Sequence, residues 1–236
     1  MSIVVLENAK VWLGGFDISG ALNSVAIEVA AESLDATVFG NDGWRSTVAG
    51  LKSINAGMSG FTDPAYDETI LGALSTSSVP FSAAMLGATA GNQAYCFNAR
   101  IGNYQRFNAS VGDIMKFEAN AFASSDRLAR GLLLHSGSVT SDGSGTAFEL
   151  GAVSASQKLC ASLHITAFDA TSIAVTLSSS ATEGGSYTTR GTFTTATAVG
   201  GTWLTPVSGA ITDTWWKANW DITGTSATIA VIAGIA

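Results

Sequence analysis

The sequence predicts an all-β protein with one flanking helix, organised as a β-sandwich or barrel followed by a second β-sandwich. Three observations carry this prediction. Apolar and polar residues alternate with a period of two along several segments of residues 1–130, as in strands with one buried face. Residues 131–236 contain 19 of the 25 threonines, and this β-branched residue suits pleated surfaces. One segment has the spacing of an amphipathic helix.

The composition divides the chain near residue 130. Residues 1–130 carry 20 of the 29 charged residues, whereas residues 131–236 contain four of the six tryptophans. Both shifts occur around the segment Ser124-Ser-Asp-Arg-Leu-Ala-Arg-Gly131. A chain of 236 residues accommodates two small domains. We therefore expect one domain at 1–130 and a second at 131–236.

In the first part, the alternation assigns one apolar and one polar face to each strand. The apolar faces are expected to form the core because burial of apolar area is favourable. They contain Val25, Ile27, Val29, Ile54, Ala56, Met58, Met115, Phe117 and Ala119. The opposite faces then carry Ser24, Glu28, Ser53, Asn55, Lys116, Glu118 and Asn120. A further strand is expected at 95–101. Its register with the other strands is unknown, so the sequence does not decide which face carries Asn98 and Arg100.

The helix is expected at about 63–75. Asp63 is a suitable N-cap and Pro64 suits the first helical position. Tyr66, Ile70 and Leu74 recur at the spacing of one apolar stripe. A single amphipathic helix buries such a stripe only by packing on a sheet.

The second part is expected to contain short strands at 159–167, 172–177, 187–195 and 215–222, joined by Gly-rich turns. Trp215, Trp216 and Trp220 have two interpretations. They are either an aromatic platform for sugar rings or, with Trp216 and Trp220 on one face of a strand, part of the core and Trp215 half-exposed.

The chemistry of a catalytic or metal site is nearly absent from the sequence. His135 and His164 have no second histidine at metal-ligand spacing, and two cysteines cannot form a disulfide scaffold. No nucleophile elbow, phosphate-binding loop or dinucleotide fingerprint is present. We therefore expect a protein that is not an enzyme and has no cofactor or metal.

The charge balance indicates which surfaces the chain lacks. Charged residues make up only 12% of the chain and the net charge is −7, which favours a surface covered by other copies over one that grips phosphates.

The apolar start is interrupted by Glu7 and has no basic flank, so no secretion signal is expected. The apolar run at 229–236 is too short to span a membrane.

Loop residues carry a resemblance to a known family. The segment Asp35-Ala-Thr-Val-Phe-Gly40 is followed by Gly50-Leu51 and by the strand sequence Ser59-Gly-Phe61. Leu6-Glu-Asn-Ala-Lys-Val-Trp12 precedes Asp17-Ile-Ser-Gly20. These features resemble the major tail tube protein of long non-contractile-tailed bacteriophages. The resemblance covers about residues 1–125, and residues 131–236 are similar to the C-terminal extension of some members.

The resemblance implies a virion structural protein of the phage tail, made in the cytoplasm of the bacterial host. Six copies would close into a ring, and stacked rings would form the tube through which double-stranded DNA passes without specific binding. The partners implied are further copies and the tape measure, tail tip and terminator proteins. The C-terminal domain would decorate the exterior of the tube.

The resemblance also assigns roles to residues. A connection at about 33–50 would project along the tube axis and contact the next ring through Asp35, Thr37, Phe39, Trp44 and Arg45. The polar set of Ser24, Glu28, Ser53, Asn55, Lys116, Glu118 and Asn120 would face the channel. Two other functions stay open from the sequence: a carbohydrate-binding β-sandwich that uses Trp215, and a hydrolase with an unrecognised site.

Overall fold

The protein is nearly all β, as the sequence predicts. The computed structural model describes residues 7–39, 44–63, 67, 68, 70, 78–106, 109–124 and 127–236. Strand residues make up 64% of the structure, and every strand pair within these ranges is antiparallel. In the same ranges, no helix has the length and apolar character that crossing a membrane requires.

Seven strands precede residue 124. They are β1 (Lys10–Leu13), β2 (Phe16–Asp17), β3 (Leu22–Asp35), β4 (Thr47–Phe61), β5 (Val79–Ala84), β6 (Gln93–Arg106) and β7 (Lys116–Ala123). Four of them form a sheet in the order β3–β4–β7–β6. Strand β6 also pairs with β5, and the sheet order then runs through β1 to β2. This four-stranded unit is called the inner sheet below.

The predicted connection at 33–50 is shorter than expected. Residues 33–35 and 47–50 belong to β3 and β4, and the two strands stay paired up to Asp35 and Thr47, so only residues 36–46 connect them. The sequence conceals these strand ends because both faces of the hairpin are exposed there, and alternation appears only where one face is buried.

The core of the inner sheet is also shorter than the apolar pattern suggests. Ile54, Ala56 and Met58 are buried as predicted, and so are Phe117 and Ala119. By contrast, Val25 and Ile27 are half-buried, while Val29 and Met115 are exposed. The physical reason is position: β3 is an edge strand that runs past the core, and Met115 precedes β7.

Most of the predicted helix at 63–75 lies outside the described residues, including Pro64, Tyr66 and Leu74. Residues 67, 68 and 70 are helical. The Asp67 N–H donates to the Asp63 carbonyl at 3.1 Å, and Ile70 is fully buried against the core of the first part.

Eight strands follow residue 128. They are β8 (Ala129–Val139), β9 (Gly143–Ser144), β10 (Phe148–Glu149), β11 (Lys158–Ser180), β12 (Thr188–Thr192), β13 (Gly200–Trp203), β14 (Val207–Ser208) and β15 (Trp215–Ile235). The expectation of short strands is wrong for two of them, since β11 has 23 residues and β15 has 21. They pair along nearly their whole length through several register shifts. Bulges bend a strand without ending it, so they interrupt the periodicity that the sequence shows.

Three clusters of buried apolar residues hold the chain together. One lies within the first part and one within the second. The third joins them and includes Trp12, Cys96, Leu133, Cys160 and Ile232. We call this third cluster the seam. Strand β8, which contains residue 130, pairs with β6 on one side and β15 on the other.

Candidate assembly surfaces

The long hairpin of β3 and β4 is the most exposed part of the inner sheet. Burial on β4 begins only at Ile54, so the preceding half of the strand projects beyond the core. Its partner residues on β3 are exposed as well. A two-stranded hairpin without a covered face is marginally stable by itself, and this segment is therefore expected to be covered by another chain.

The predicted contact residues at the end of this hairpin separate into two groups. Asp35, Thr37 and Arg45 interact with one another where the two strands end. The Thr37 N–H donates to Asp35 Oδ1 at 2.9 Å, and Arg45 lies 3.5 Å from Asp35 Oδ2. Hydrogen bonds from the Thr37 side chain and backbone lower the pKa of Asp35. Phe39 and Trp44 are left exposed, Trp44 to 79%.

Four further apolar side chains that the sequence did not single out extend this exposed surface. Together with Phe39 and Trp44 they form what we call the hairpin patch. Its residues are Leu34, Val38, Phe39, Trp44, Val48 and Leu51. Contiguous exposed apolar surface on a protein of this size marks an interaction site.

The predicted polar set lies on one face of the inner sheet. Residues directly paired across antiparallel strands point to the same side, and the register joins the set into rows across β3, β4 and β7. One row joins Glu28 to Asn55, and another joins Ser24 to Glu118 through Ser59. The register therefore brings together Ser24, Glu28, Ser53, Asn55, Lys116, Glu118 and Asn120. The opposite face carries the buried core.

The register also settles the side of Arg100. It pairs with Phe122, which pairs with Asn55, so Arg100 lies on the polar face. Lys116 lies on this face as well, together with Glu28, Glu118 and Glu32, which follows Glu28 at the period of the strand. The face thus carries two bases and three acids, so its formal charge is 2 − 3 = −1 per copy.

A bulge at Gly102 decides which side chains of β6 complete this face. The register shifts between Ile101 and Asn103, so Asn103 joins the polar face and Tyr104 turns to the opposite side. There the Tyr104 hydroxyl donates to Asp67. Burial raises the pKa of the Tyr104 hydroxyl most, and the neighbouring Asp67 carboxylate raises it further. No sequence signal except an isolated glycine within a strand pattern indicates the bulge.

The inner sheet has a free edge on each side among the described strands. Strand β3 pairs only with β4. On β6, Ala99 pairs with both Val79 and Ala123, so β5 and β7 lie on opposite sides of it. Strand β5 ends its pairing at Ala99, whereas β7 continues to Arg106. Residues 100–106 therefore have no described strand on the β5 side.

The aromatic residues of β15 do not form a platform. Trp216 is fully buried and donates from Nε1 to the Gly151 carbonyl at 2.9 Å. Trp220 is half-buried and packs against His135, with the ring centroids 4.3 Å apart and the ring planes tilted by 46°. Trp215 is half-buried on the other face. The core interpretation of Trp216 is thus confirmed.

His164 is a structural residue of the seam. Its Nδ1 lies 2.7 Å from the Gly14 carbonyl oxygen, which only accepts, so Nδ1 carries the proton. Nε2 then accepts from the Ser82 hydroxyl at 2.8 Å, and Ser82 accepts from Ser162 at 2.7 Å. All three side chains are buried. Among the described residues, no group of three or more His, Cys, Asp or Glu is arranged to hold a metal.

No protein-family model matches the chain, and a search of curated proteins found no match. Several solved structures are similar to this chain, and they include the following three. A sheath–tube complex of the PVC extracellular contractile injection system, in its extended state, matches with 17% identity and a TM-score of 0.41 over 56% of this chain and 92% of its own. A virion of a native gene transfer agent particle matches with 17% identity and a TM-score of 0.38 over 50% and 93%.

The third structure is the SPP1 Dit protein, described as a hub adsorption apparatus of phages that infect Gram-positive bacteria. It matches with 12% identity and a TM-score of 0.38 over 96% of this chain and 99% of its own. The first two structures cover about half of this chain, whereas Dit covers nearly all of it.

Proposed function

We propose that this chain is a non-enzymatic structural protein of a phage virion that forms the tail tube. The observation that carries the proposal is the inner sheet. It has one face on the core, a polar face without a core, and on each side an edge that pairs with no other strand among the described residues. Each open edge of such a sheet can pair with an edge of another copy, and closure into a barrel removes open edges.

Ring closure follows from the two edges. The edge of β3 in one copy pairs with the edge of residues 100–105 in the next. This contact is head-to-tail, because the two edges belong to different strands, and head-to-tail contacts close into rings when the rotation permits. The number of six copies comes from the resemblance to tail tube proteins.

The polar face would then line the channel. Its side chains are mostly small or uncharged, and each cation has acidic residues on the same face. Binding to duplex DNA requires clustered Lys and Arg that neutralise phosphates. A wall with a small net negative charge lets DNA pass without holding it.

The hairpin patch would mediate stacking between rings, with Phe39 and Trp44 as anchors, because aromatic side chains dominate interface energetics. Residues 131–236 would lie outside the tube. Assembly with tape measure, tail tip and terminator proteins belongs to the same proposal and rests on the resemblance.

Two neighbouring alanines of β3 provide a matched test. Ala30 and Ala31 are both exposed and both paired with β4, opposite Ser53 and Lys52. In an antiparallel strand, successive N–H groups point to opposite sides, so proline removes an N–H that faces β4 in one variant and the free edge in the other.

Negative-stain microscopy and thermal unfolding of Ala30→Pro and Ala31→Pro then distinguish the edge from the fold. We expect rings or tubes from the native chain. The variant with the lower melting temperature has lost a bond to β4, and the other should melt like the native chain but remain monomeric. The proposal fails if the native chain forms no rings or if the stable variant assembles normally.

A further inference from the structure

A second exposed apolar cluster lies at the end of the inner sheet opposite the hairpin. Strand β4 ends at Phe61, which pairs with Lys116 at the start of β7. The loop at 109–115 precedes β7 and is held there by a hydrogen bond from the Thr62 N–H to the Met115 carbonyl at 3.0 Å. The exposed apolar side chains at this end, called the end patch, are Phe61, Val111, Ile114 and Met115.

The end patch combines a depression with protruding side chains. The depression is lined by Phe61, Ile114 and Lys116 together with Asn23 and Asp113. Ile114 is 68% exposed. A bond from the Asp113 N–H to the Ser110 carbonyl at 3.0 Å shapes the loop. The hairpin patch, by contrast, lies on two paired strands that extend beyond the core.

The two patches are related by the direction of the strands. The hairpin patch includes residues near the Thr47 end of β4, and the end patch includes Phe61 at the other end of the strand. A strand of 15 residues is about 50 Å long at about 3.3 Å per residue. Translation of one copy along this strand direction therefore brings its hairpin patch onto the end patch of another copy. The same contact then repeats between each pair of successive copies.

The charges agree with this arrangement. The hairpin carries the exposed acid–base pair of Asp35 and Arg45. The end patch carries exposed Asp113 and Lys116. Each end thus presents one acid and one base, and each has a group of opposite sign to face across the junction. Complementary charges fix the register of an interface whose affinity comes from its apolar centre.

We propose that the end patch is the surface that accepts the hairpin patch of a second copy of this chain. The inference rests on the proposed function, since it specifies how rings stack, but it concerns stacking alone and not ring closure. The contact is heterologous: one surface of each copy meets a different surface of the next, so it repeats without limit along an axis.

Three variants test the assignment. Val111→Ser with Ile114→Ser removes the two most exposed apolar side chains of the end patch, and Phe39→Ser with Trp44→Ser removes the two aromatic side chains of the hairpin patch. Leu86→Ser is the matched control, because Leu86 is half-exposed in the turn after β5. Both double variants should form single rings and no tubes by electron microscopy, whereas the control should form tubes like the native chain.

Mixing the double variants distinguishes a heterologous contact from hairpin-to-hairpin docking. In the mixture, the hairpin variant offers an intact end patch and the end-patch variant offers an intact hairpin. They should form one junction, which yields stacks of two rings and nothing longer. Tubes from the end-patch variant alone would overturn the inference. Absence of rings from the native chain would instead refute the proposed function.

A cross-link covers the case in which a double variant does not fold. Trp44→Cys and Ile114→Cys, introduced into one chain, should form covalent ladders along the tube on oxidation. The native Cys96 and Cys160 are buried, and the native chain is the control for them. Each single cysteine variant should remain unlinked. Assembled tubes of the double cysteine chain that release only monomers in denaturant would overturn the inference.

Discussion

Replacement of His164 by glutamine should remove a specific part of the pH dependence of folding. Glutamine offers one donor for the Gly14 carbonyl and one acceptor for the Ser82 hydroxyl, as the imidazole does. It does not titrate. The comparison of His164→Gln with the native chain therefore isolates the protonation of this one ring from that of the carboxylates.

The sign and size follow from the burial of the ring. The pKa of His164 falls from 6.5 to about 4, because burial disfavours the charged form, although the Gly14 carbonyl partly opposes this shift. Between these pH values the unfolded chain binds more protons than the folded one. Stability is therefore present above pH 6.5 and declines as the pH falls toward 4. One pKa unit corresponds to 1.36 kcal/mol, so the full loss is about 3 kcal/mol.

Urea unfolding at pH 7, 5.5 and 4.5 measures this effect, at a protein concentration where the chain is monomeric. The native chain should lose about 2 kcal/mol more than His164→Gln between pH 7 and pH 4.5, because the full loss is reached only below pH 4. Protonation also costs the bond from Ser82, because Nε2 can no longer accept. Equal pH dependence of the two proteins would refute the neutral, doubly bonded imidazole in the seam.

Two further predictions concern the inner sheet. Gly102→Ala should destabilise the fold by about 1–3 kcal/mol, because a Cβ at Gly102 would lie 2.5 Å from the Phe122 ring. The control Gly57→Ala should unfold like the native chain, because its Cβ would meet its nearest neighbour at 3.5 Å. Equal urea midpoints for the two variants would contradict the bulge. Glu28→Lys changes the formal charge of the polar face from −1 to +1 per copy, so tubes should form normally while DNA passage slows in a salt-dependent way. Virions that eject DNA at the native rate would remove Glu28 from the channel wall.

Local patterns determined a large part of the inner sheet. Alternation assigned Glu28, Asn55 and Glu118 to one face and Ala56 and Phe117 to the other, because side chains of a strand alternate whatever its partner is. The same reasoning failed where neither face is buried. Residues 33–35 and 47–50 are strands that no alternation marks, and Val29 is an apolar residue beyond the core.

The sequence by itself determined the all-β class and the two-faced strands of the first part, since both depend on residues a few positions apart. Only the tertiary structure decided which strands are neighbours, and with them the free edges of β3 and β6, the side of Arg100 and the seam around His164. The bonds of His164 to Gly14 and Ser82 connect residues far apart in the chain. Register and pairing are non-local, so no periodicity within one segment specifies them.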